Sequence, residues 1–197
     1  MNVAFRKPMS LAEFLEWEER QPLRHEFDGV GPVAMTGGTL AHALIQANLA
    51  AALTTRLRGA PCRFFGSDAK IQVAADHIRY PDGVVMCSPI VNAATIIREP
   101  VAIFEVLSPS RASADRIVKA REYQATPSVR RYVMLEQDRI GATVYARAGD
   151  EWVFQILSND AVLVMPEIGV EVALAELYEG LEFDAPDESV LSPSDAP

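Results

Sequence analysis

The chain has 197 residues, which is enough for one compact domain with a sizeable hydrophobic core. Its hydrophobic share of 49% and charged share of 23% are close to the averages of globular proteins, which excludes a disordered chain or a fibrous repeat. The formal net charge of -9 argues against a generic nucleic-acid coat, and no run reaches the roughly 18 apolar residues of a membrane span.

The N-terminal third of the sequence predicts a helix, a hairpin and a second helix. The capping box Ser10-Leu11-Ala12-Glu13 begins the first helix, which runs to about Arg20. Residues 24–35 predict a short hairpin around a central Asp-Gly dipeptide. Thr39 caps the second helix, whose broad apolar pattern ends at Gly59.

The rest of the sequence predicts strands on either side of a third helix, which runs from about Ser113 to Ala125. The predicted strands are rich in β-branched and aromatic residues and cover 62–65, 68–75, 78–87, 100–107, 131–136, 142–147, 152–157 and 162–164. Residues 184–197 are acidic and rich in Pro, Ser and Asp, so we expect a flexible tail behind a single domain of residues 1–183. The order of elements predicts an α/β fold.

The two cysteines, Cys62 and Cys87, are too few for a disulfide framework in a chain of this length. We expect both to be reduced thiols. They form no cluster with histidine at the spacing of a zinc site. Any metal ion is therefore expected to be bound by oxygen ligands. Residues 1–8 are followed by no apolar stretch and no membrane span occurs, so we expect a cytoplasmic protein.

Asp82 is the first candidate acid. It follows Tyr80-Pro81 and alternates with Val84 and Met86, so its carboxylate shares their face if the strand is regular. The alternative is a simple turn, because Pro-Asp-Gly is a common turn tripeptide.

Glu105 is the second candidate acid, and it interrupts an apolar run from Val101 to Leu107 that is typical of a strand buried on both faces. Burying an unpaired carboxylate costs roughly several kcal/mol, so Glu105 must be exposed at the strand end, paired with a base or bound to a cation. Two carboxylates on neighbouring strand ends repel each other unless a divalent cation lies between them. Their oxygens suit Mg²⁺ or Mn²⁺.

Two lysines are candidates for a position beside these carboxylates. Lys119 and Tyr123 lie on one side of the third predicted helix, so Lys119 could reach back over the carboxylates. The alternative for Lys119 is an ordinary surface ion pair with Asp115. Lys70 is a rival, because it lies on a polar strand face just before the strand of Asp82.

A basic run surrounds the third helix. Residues 111–131 contain six basic and two acidic residues, a net +4, whereas the remaining 12 basic and 25 acidic residues give -13. Such a run is compatible with phosphate binding by Arg111, Arg116 and Arg121, and equally with a solvated helix face.

Three motifs follow one another along the chain: Tyr-Pro-Asp at 80–82, Phe-Glu-Val-Leu-Ser-Pro-Ser at 104–110, and Asp115-Arg116 with Lys119. In this combination the chain resembles the Uma-two family of restriction-endonuclease-like proteins, within the PD-(D/E)XK nuclease superfamily. The resemblance covers residues 9–183. It implies an α/β fold with a restriction-endonuclease-like core, in which helices flank a mixed central sheet and extra antiparallel strands occupy the C-terminal half.

The resemblance also implies the roles of individual residues. Asp82 and Glu105 would bind Mg²⁺ or Mn²⁺, and Glu26 could complete the acidic cluster. Lys119 would supply the lysine from the helix, because Leu107 occupies the usual lysine position of the strand motif.

The leading hypothesis is therefore a Mg²⁺-dependent or Mn²⁺-dependent endonuclease that hydrolyses phosphodiester bonds of nucleic acid, with DNA as the expected substrate. One alternative is a weak or inactive nuclease-fold module that binds nucleic acid or a protein partner. It is motivated by the negative net charge and by Val30, where similar proteins commonly have Glu. A further alternative is a phosphoesterase for small substrates. No membrane partner is expected, and an exposed strand edge would allow a homodimer.

Overall fold

A computed structural model describes residues 8–35, 38–107 and 114–183, with side chains in the last range described from residue 117 onward. The predicted flexible tail at 184–197 and the motif Ser108-Pro109-Ser110 lie outside these ranges. None of the helices in the described ranges is both long enough and apolar enough to cross a bilayer.

The three predicted helices are confirmed as α1 Leu11–Glu18, α2 Leu40–Arg56 and α3 Ala114–Ala125. The capping box at the start of α1 is complete, because Ser10 Oγ accepts from the Glu13 amide while the Glu13 carboxylate accepts from the Ser10 amide. Thr39 Oγ1 accepts from the His42 amide and so caps α2.

The described ranges form thirteen strands: β1 His25–Phe27, β2 Pro32–Ala34, β3 Arg63–Gly66, β4 Lys70–Val73, β5 His77–Arg79, β6 Gly83–Met86, β7 Ile96–Ile97, β8 Pro100–Val106, β9 Arg131–Leu135, β10 Gly141–Ala148, β11 Glu151–Ser158, β12 Val162–Met165 and β13 Val170–Ala173. A 3₁₀-helix follows at Leu174–Tyr178. The sequence did not predict β7, β13 or this 3₁₀-helix.

Six of these strands form the central sheet, in the order β11-β10-β9-β8-β6-β3. It is a mixed sheet, because β8 pairs with β9 in parallel while its other neighbour, β6, runs antiparallel. A second sheet has the order β2-β1-β5-β4-β7, and β12 pairs with β13. The expected mixed sheet flanked by helices, with extra antiparallel strands in the C-terminal half, is confirmed.

The central sheet is buried on both faces. Ile45 and Leu49 of α2 pack with Phe104 in the core cluster on one face, whereas Tyr123 of α3 packs with Ile103 in the cluster on the other. This arrangement explains the nearly uninterrupted apolar run of β8. It also places Glu105, two residues after Ile103, on the face covered by α3.

The predicted single strand at 78–87 is wrong. The segment is divided between two sheets, because β5 ends at Arg79 in the second sheet and β6 begins at Gly83 in the central sheet. Pro81 lies at the crossing and has no amide hydrogen with which to continue a strand ladder. Asp82 therefore stands where the chain enters the central sheet.

The expectation of two reduced thiols is also wrong. Cys62 and Cys87 form a disulfide, with their Cα atoms 3.9 Å apart. The register of the antiparallel β3–β6 pair explains this bond, because Arg63 lies opposite Met86 and the next residues outward therefore face each other.

Candidate active site

Three carboxylates from three different segments come together at one end of the central sheet. Glu26 is the middle residue of β1, Asp82 directly precedes β6, and Glu105 is the penultimate residue of β8. Gly83 pairs with Phe104, so the β6–β8 register continued by one residue places Asp82 opposite Glu105. The two acids that the sequence singled out are therefore cross-strand neighbours.

Lys119 of α3 joins two of these acids. Its Nζ atom donates to Oε1 of Glu105 at 3.1 Å and to Oε1 of Glu26 at 3.3 Å. All three side chains are only 12% exposed, so the ion pairs are largely shielded from water. The ammonium of Lys119 thus bridges two of the three acids.

Glu105 has a strongly raised pKa. Burial raises the pKa of its carboxyl to about 7, and the negative charges of Asp82 and Glu26 add to the rise, against the opposing effect of Lys119. The hydroxyl of Tyr123 also donates to Oε1 of Glu105, at 2.8 Å. Of the alternatives for Glu105, the structure shows the pairing with a base.

Asp82 is held by groups from two elements. Its Oδ2 accepts from the Val106 amide at 2.6 Å, and its Oδ1 accepts from the amide group of Gln46 on α2. His42, one helical turn before Gln46, places Nε2 3.3 Å from Oδ2. The hydrogen bond to Asp82 raises the pKa of the His42 imidazole, against the effect of burial.

Sequence reasoning missed this pair on α2, since neither His42 nor Gln46 was assigned to the candidate site. The available signal was their spacing of four residues, which places two polar side chains on one face of an otherwise apolar helix.

Glu26 has partners besides Lys119. Its Oε1 accepts from the Tyr80 amide at 3.2 Å, and its Oε2 lies 3.9 Å from Nη1 of Arg79. Arg79 is itself buried and donates to both oxygens of Glu122 on α3, at 2.8 and 2.6 Å. Because Glu122 is three residues after Lys119, this ion pair also fixes the turn of α3 that carries the lysine.

Lys70 occupies a different environment. It donates to Oε2 of Glu18 on α1, and Oε1 of Glu18 accepts from the Tyr80 hydroxyl at 2.6 Å. These hydrogen bonds keep the pKa of Glu18 low, against the effect of its burial. The contacts described for Lys70 thus place it with Glu18 and Tyr80, away from the bridging position that Lys119 occupies.

The basic residues of the run 111–131 differ in their exposure. Arg121 is exposed on α3, whereas Arg131 is buried and bonds to Glu167, with Nε 2.5 Å from Oε1. Arg111 lies outside the described residues, and the side chain of Arg116 is not among those described. Two of the six basic residues of the run, Lys119 and Arg131, are thus engaged by carboxylates.

The donor set suits a hard cation. In the described ranges, no group of three or more His, Cys, Asp and Glu side chains has the arrangement of a metal site. Mg²⁺ needs only about one or two carboxylates, because water and substrate phosphate complete its coordination. Asp82 and Glu105 supply such a pair, and a cation beside them would offset the cost of burying the charged form of Glu105, which is the main cause of its raised pKa.

Comparisons with known proteins agree on the kind of fold. The Uma2 family model, described as "Putative restriction endonuclease", matches residues 11–175. The chain is 32% identical over 178 residues to the uncharacterized protein slr1290 of Synechocystis, covering 89% of this chain and 94% of that protein. It is 27% identical over 165 residues to the uncharacterized protein sll1609 of the same organism, covering 81% and 93%.

A solved structure shares the architecture. It is described as a "putative nuclease belonging to DUF820" from Anabaena variabilis, and it superposes with a TM-score of 0.70 at 19% sequence identity. The match covers 87% of this chain and 98% of the other. Together with the family match, it confirms the restriction-endonuclease-like core.

Proposed function

Because the chain belongs to the Uma2 family of restriction-endonuclease-like proteins, we propose that it is a Mg²⁺-dependent or Mn²⁺-dependent endonuclease that hydrolyses phosphodiester bonds of DNA. One observation supports this proposal above the others: Asp82, directly before β6, lies opposite Glu105 of β8, and Nζ of Lys119 lies 3.1 Å from Oε1 of Glu105. Two carboxylates and one ammonium are the groups that metal-assisted phosphodiester hydrolysis requires.

Each residue of the candidate site has its own role in the proposed reaction. Asp82 and Glu105 would hold the cation, which when bound lowers the pKa of water and offsets the charge of the phosphate. Lys119 places a positive charge beside the attacked phosphate, where it stabilises the charge that develops in the transition state. Gln46 and the Val106 amide hold the two oxygens of Asp82, so that this ligand is oriented before substrate binds.

The proposal extends to the substrate and its surroundings. Arg111, Arg116 and Arg121 would contact phosphates along the nucleic-acid backbone, which would make binding weaken as salt increases. We further propose that the enzyme acts in the cytoplasm. A second candidate is a module of the same fold that binds nucleic acid or a protein partner without cleavage, which the net charge of -9 and Val30 favour.

Titration of metal and an assay for cleavage together test the proposal. We would compare the wild-type protein with Glu105→Gln, which keeps the side-chain shape and removes the charge. Calorimetry should show Mg²⁺ or Mn²⁺ binding to the wild type and binding at least about tenfold weaker in Glu105→Gln. Cleavage of plasmid and short duplex DNA should fall to background in the variant.

The exposed Glu171 on β13 supplies a matched control, because Glu171→Gln makes the same chemical change away from the site. It should leave metal affinity and cleavage unchanged. Equal metal binding by the wild type and Glu105→Gln would contradict the assignment of the ligands. DNA binding without cleavage in either metal would favour the non-catalytic module.

A further inference from the structure

The central sheet ends on one side in a long strand with an open edge. β11 pairs with β10 over eight residue pairs, from Gly141 opposite Ser158 to Ala148 opposite Glu151. In the part of the chain that the structure describes, its other edge has no partner strand. A row of backbone N–H and C=O groups along this edge is therefore available to another strand.

The side chains of this edge strand are unusually apolar for an exposed position. The exposed fractions are 52% for Val153, 67% for Phe154 and 75% for Ile156. Phe154 and Ile156 share one face of the sheet, whereas Val153 points to the other face. Tyr145 lies beside Phe154, with ring centroids 6.1 Å apart, and continues the apolar surface toward the core.

β11 also lacks the features that normally prevent edge-to-edge association. Exposed edges are usually protected by lysine, proline, a bulge or a short strand. Residues 152–157 contain no charged residue, no proline and no glycine, and the register with β10 is continuous. This edge is therefore suited to binding a further strand.

The distribution of charge around β11 allows the added strand to come from a second copy of this chain. The chain has a net charge of -9, so two copies repel each other over most of their surfaces. Residues 152–157 form an uncharged window, and the acids Glu151 and Asp160 lie outside it. Two copies can meet through this window without bringing like charges into direct opposition.

The strand is also geometrically suited to pairing with itself. An antiparallel pair of identical strands has a two-fold axis perpendicular to the sheet, and such an axis keeps each side chain on its own face. With the axis at Phe154 or Gln155, the exposed Phe154 and Ile156 of one copy lie beside those of the other. Cross-strand pairs of aromatic and β-branched residues are among those that stabilise a sheet.

We propose that β11 is a dimerisation edge, through which two copies of the chain join their six-stranded sheets into one continuous sheet of twelve strands. The proposal does not depend on metal binding or on cleavage. It names the surface through which a homodimer would form.

The oligomeric state at several protein concentrations tests the proposal. Light scattering coupled to gel filtration should give a mass of twice 21.6 kDa for the wild type at tens of micromolar. The double variant Phe154→Lys with Ile156→Lys should give a single 21.6 kDa chain. Leu23→Lys is the control, since Leu23 is 69% exposed and lies outside β11, and it should remain dimeric.

Gln155→Glu provides a milder variant with the same side-chain shape. It places two like charges near the proposed axis, so the dissociation constant of the dimer should rise at least tenfold while the circular dichroism spectrum stays that of the wild type.

Hydrogen exchange gives an independent readout on the wild type. Alternate amides of β11 should become protected as the protein concentration rises. A monomeric wild type would overturn the proposal, and this would also be the result if the strand that pairs with β11 came from another protein. A double variant that remains dimeric would overturn it as well.

Discussion

At the scale of single residues, one ammonium stands between two buried carboxylates. Removing the charge of Lys119 would leave Glu26 and Glu105 with less compensation, although Tyr123 would still donate to Glu105. Lys70 makes a comparable buried ion pair with Glu18. Both lysines are thus paired with carboxylates and largely shielded from water, but at different places in the fold, so substitution can separate a role in cleavage from a role in stability.

Lys119→Met should abolish DNA cleavage while metal binding, measured by calorimetry, is retained. The methionine keeps most of the side-chain volume but cannot stabilise charge on the phosphate. Lys70→Met should keep cleavage and lower the melting temperature, because it leaves Glu18 buried without its ammonium. If Lys70→Met abolishes cleavage and Lys119→Met stays active, the assignment of the helix lysine is wrong.

The residues of the candidate site were predictable to different extents. Asp82 and Glu105 were singled out because a charge beside or within an apolar strand contradicts its surroundings, whereas the role of Lys119 came from the family resemblance. Gln46 and Arg79 were not singled out, because their contacts depend on which elements cross in space. Local patterns carry no information on such crossings.

At the scale of elements, the least expected feature is the division of residues 78–87 between two sheets. Apolar residues alternate in the same way before and after Pro81, so periodicity alone cannot reveal that the chain passes from one sheet to the other there. Pro81 and Gly83 were the only local signals. Caps and apolar periodicity did predict the three helices, whereas the two-residue strand β7 depends on its partner strand for stability.

Gly83 explains part of how β6 enters the sheet. A Cβ atom at this position would lie 2.7 Å from Cε2 of Phe64 and 3.2 Å from Cδ2 of Leu49. Gly83→Ala should therefore lower the free energy of unfolding by about 1 to 3 kcal/mol through overpacking. Urea denaturation followed by fluorescence measures this change.

Gly66 is a matched control for this prediction, because it is the direct cross-strand partner of Gly83. A Cβ atom on Gly66 would meet no other atom within 4 Å. Gly66→Ala should change the free energy of unfolding by less than about 0.5 kcal/mol. Equal stability of the two variants would show that the core adjusts around a methyl group at position 83.

At the scale of the whole molecule, the sequence predicted the fold class better than the arrangement of charge. Order and type of elements follow from local patterns, and the family resemblance supplied the sheet architecture. The count of basic residues in 111–131 did not reveal that Arg131 is buried and paired with Glu167. The disulfide between Cys62 and Cys87 escaped prediction for a similar reason, because the two cysteines are 25 residues apart and become neighbours only through the register of β3 with β6.

The wide spacing of the site residues along the chain has a thermodynamic consequence. Asp82 and Glu105 are 23 positions apart in sequence (105 minus 82), and they become neighbours only through the pairing of β6 with β8. An unfolded chain therefore offers no comparable site, and a cation that binds the folded state alone shifts the folding equilibrium by mass action. A Mg²⁺ concentration of 100 times the dissociation constant should raise the free energy of unfolding by about 2.7 kcal/mol. Scanning calorimetry should thus show a melting temperature that climbs with Mg²⁺ in the wild type and needs at least about tenfold more Mg²⁺ for the same rise in Glu105→Gln, with NaCl at equal ionic strength as the reference. A melting temperature that responds equally in both proteins would place the cation elsewhere.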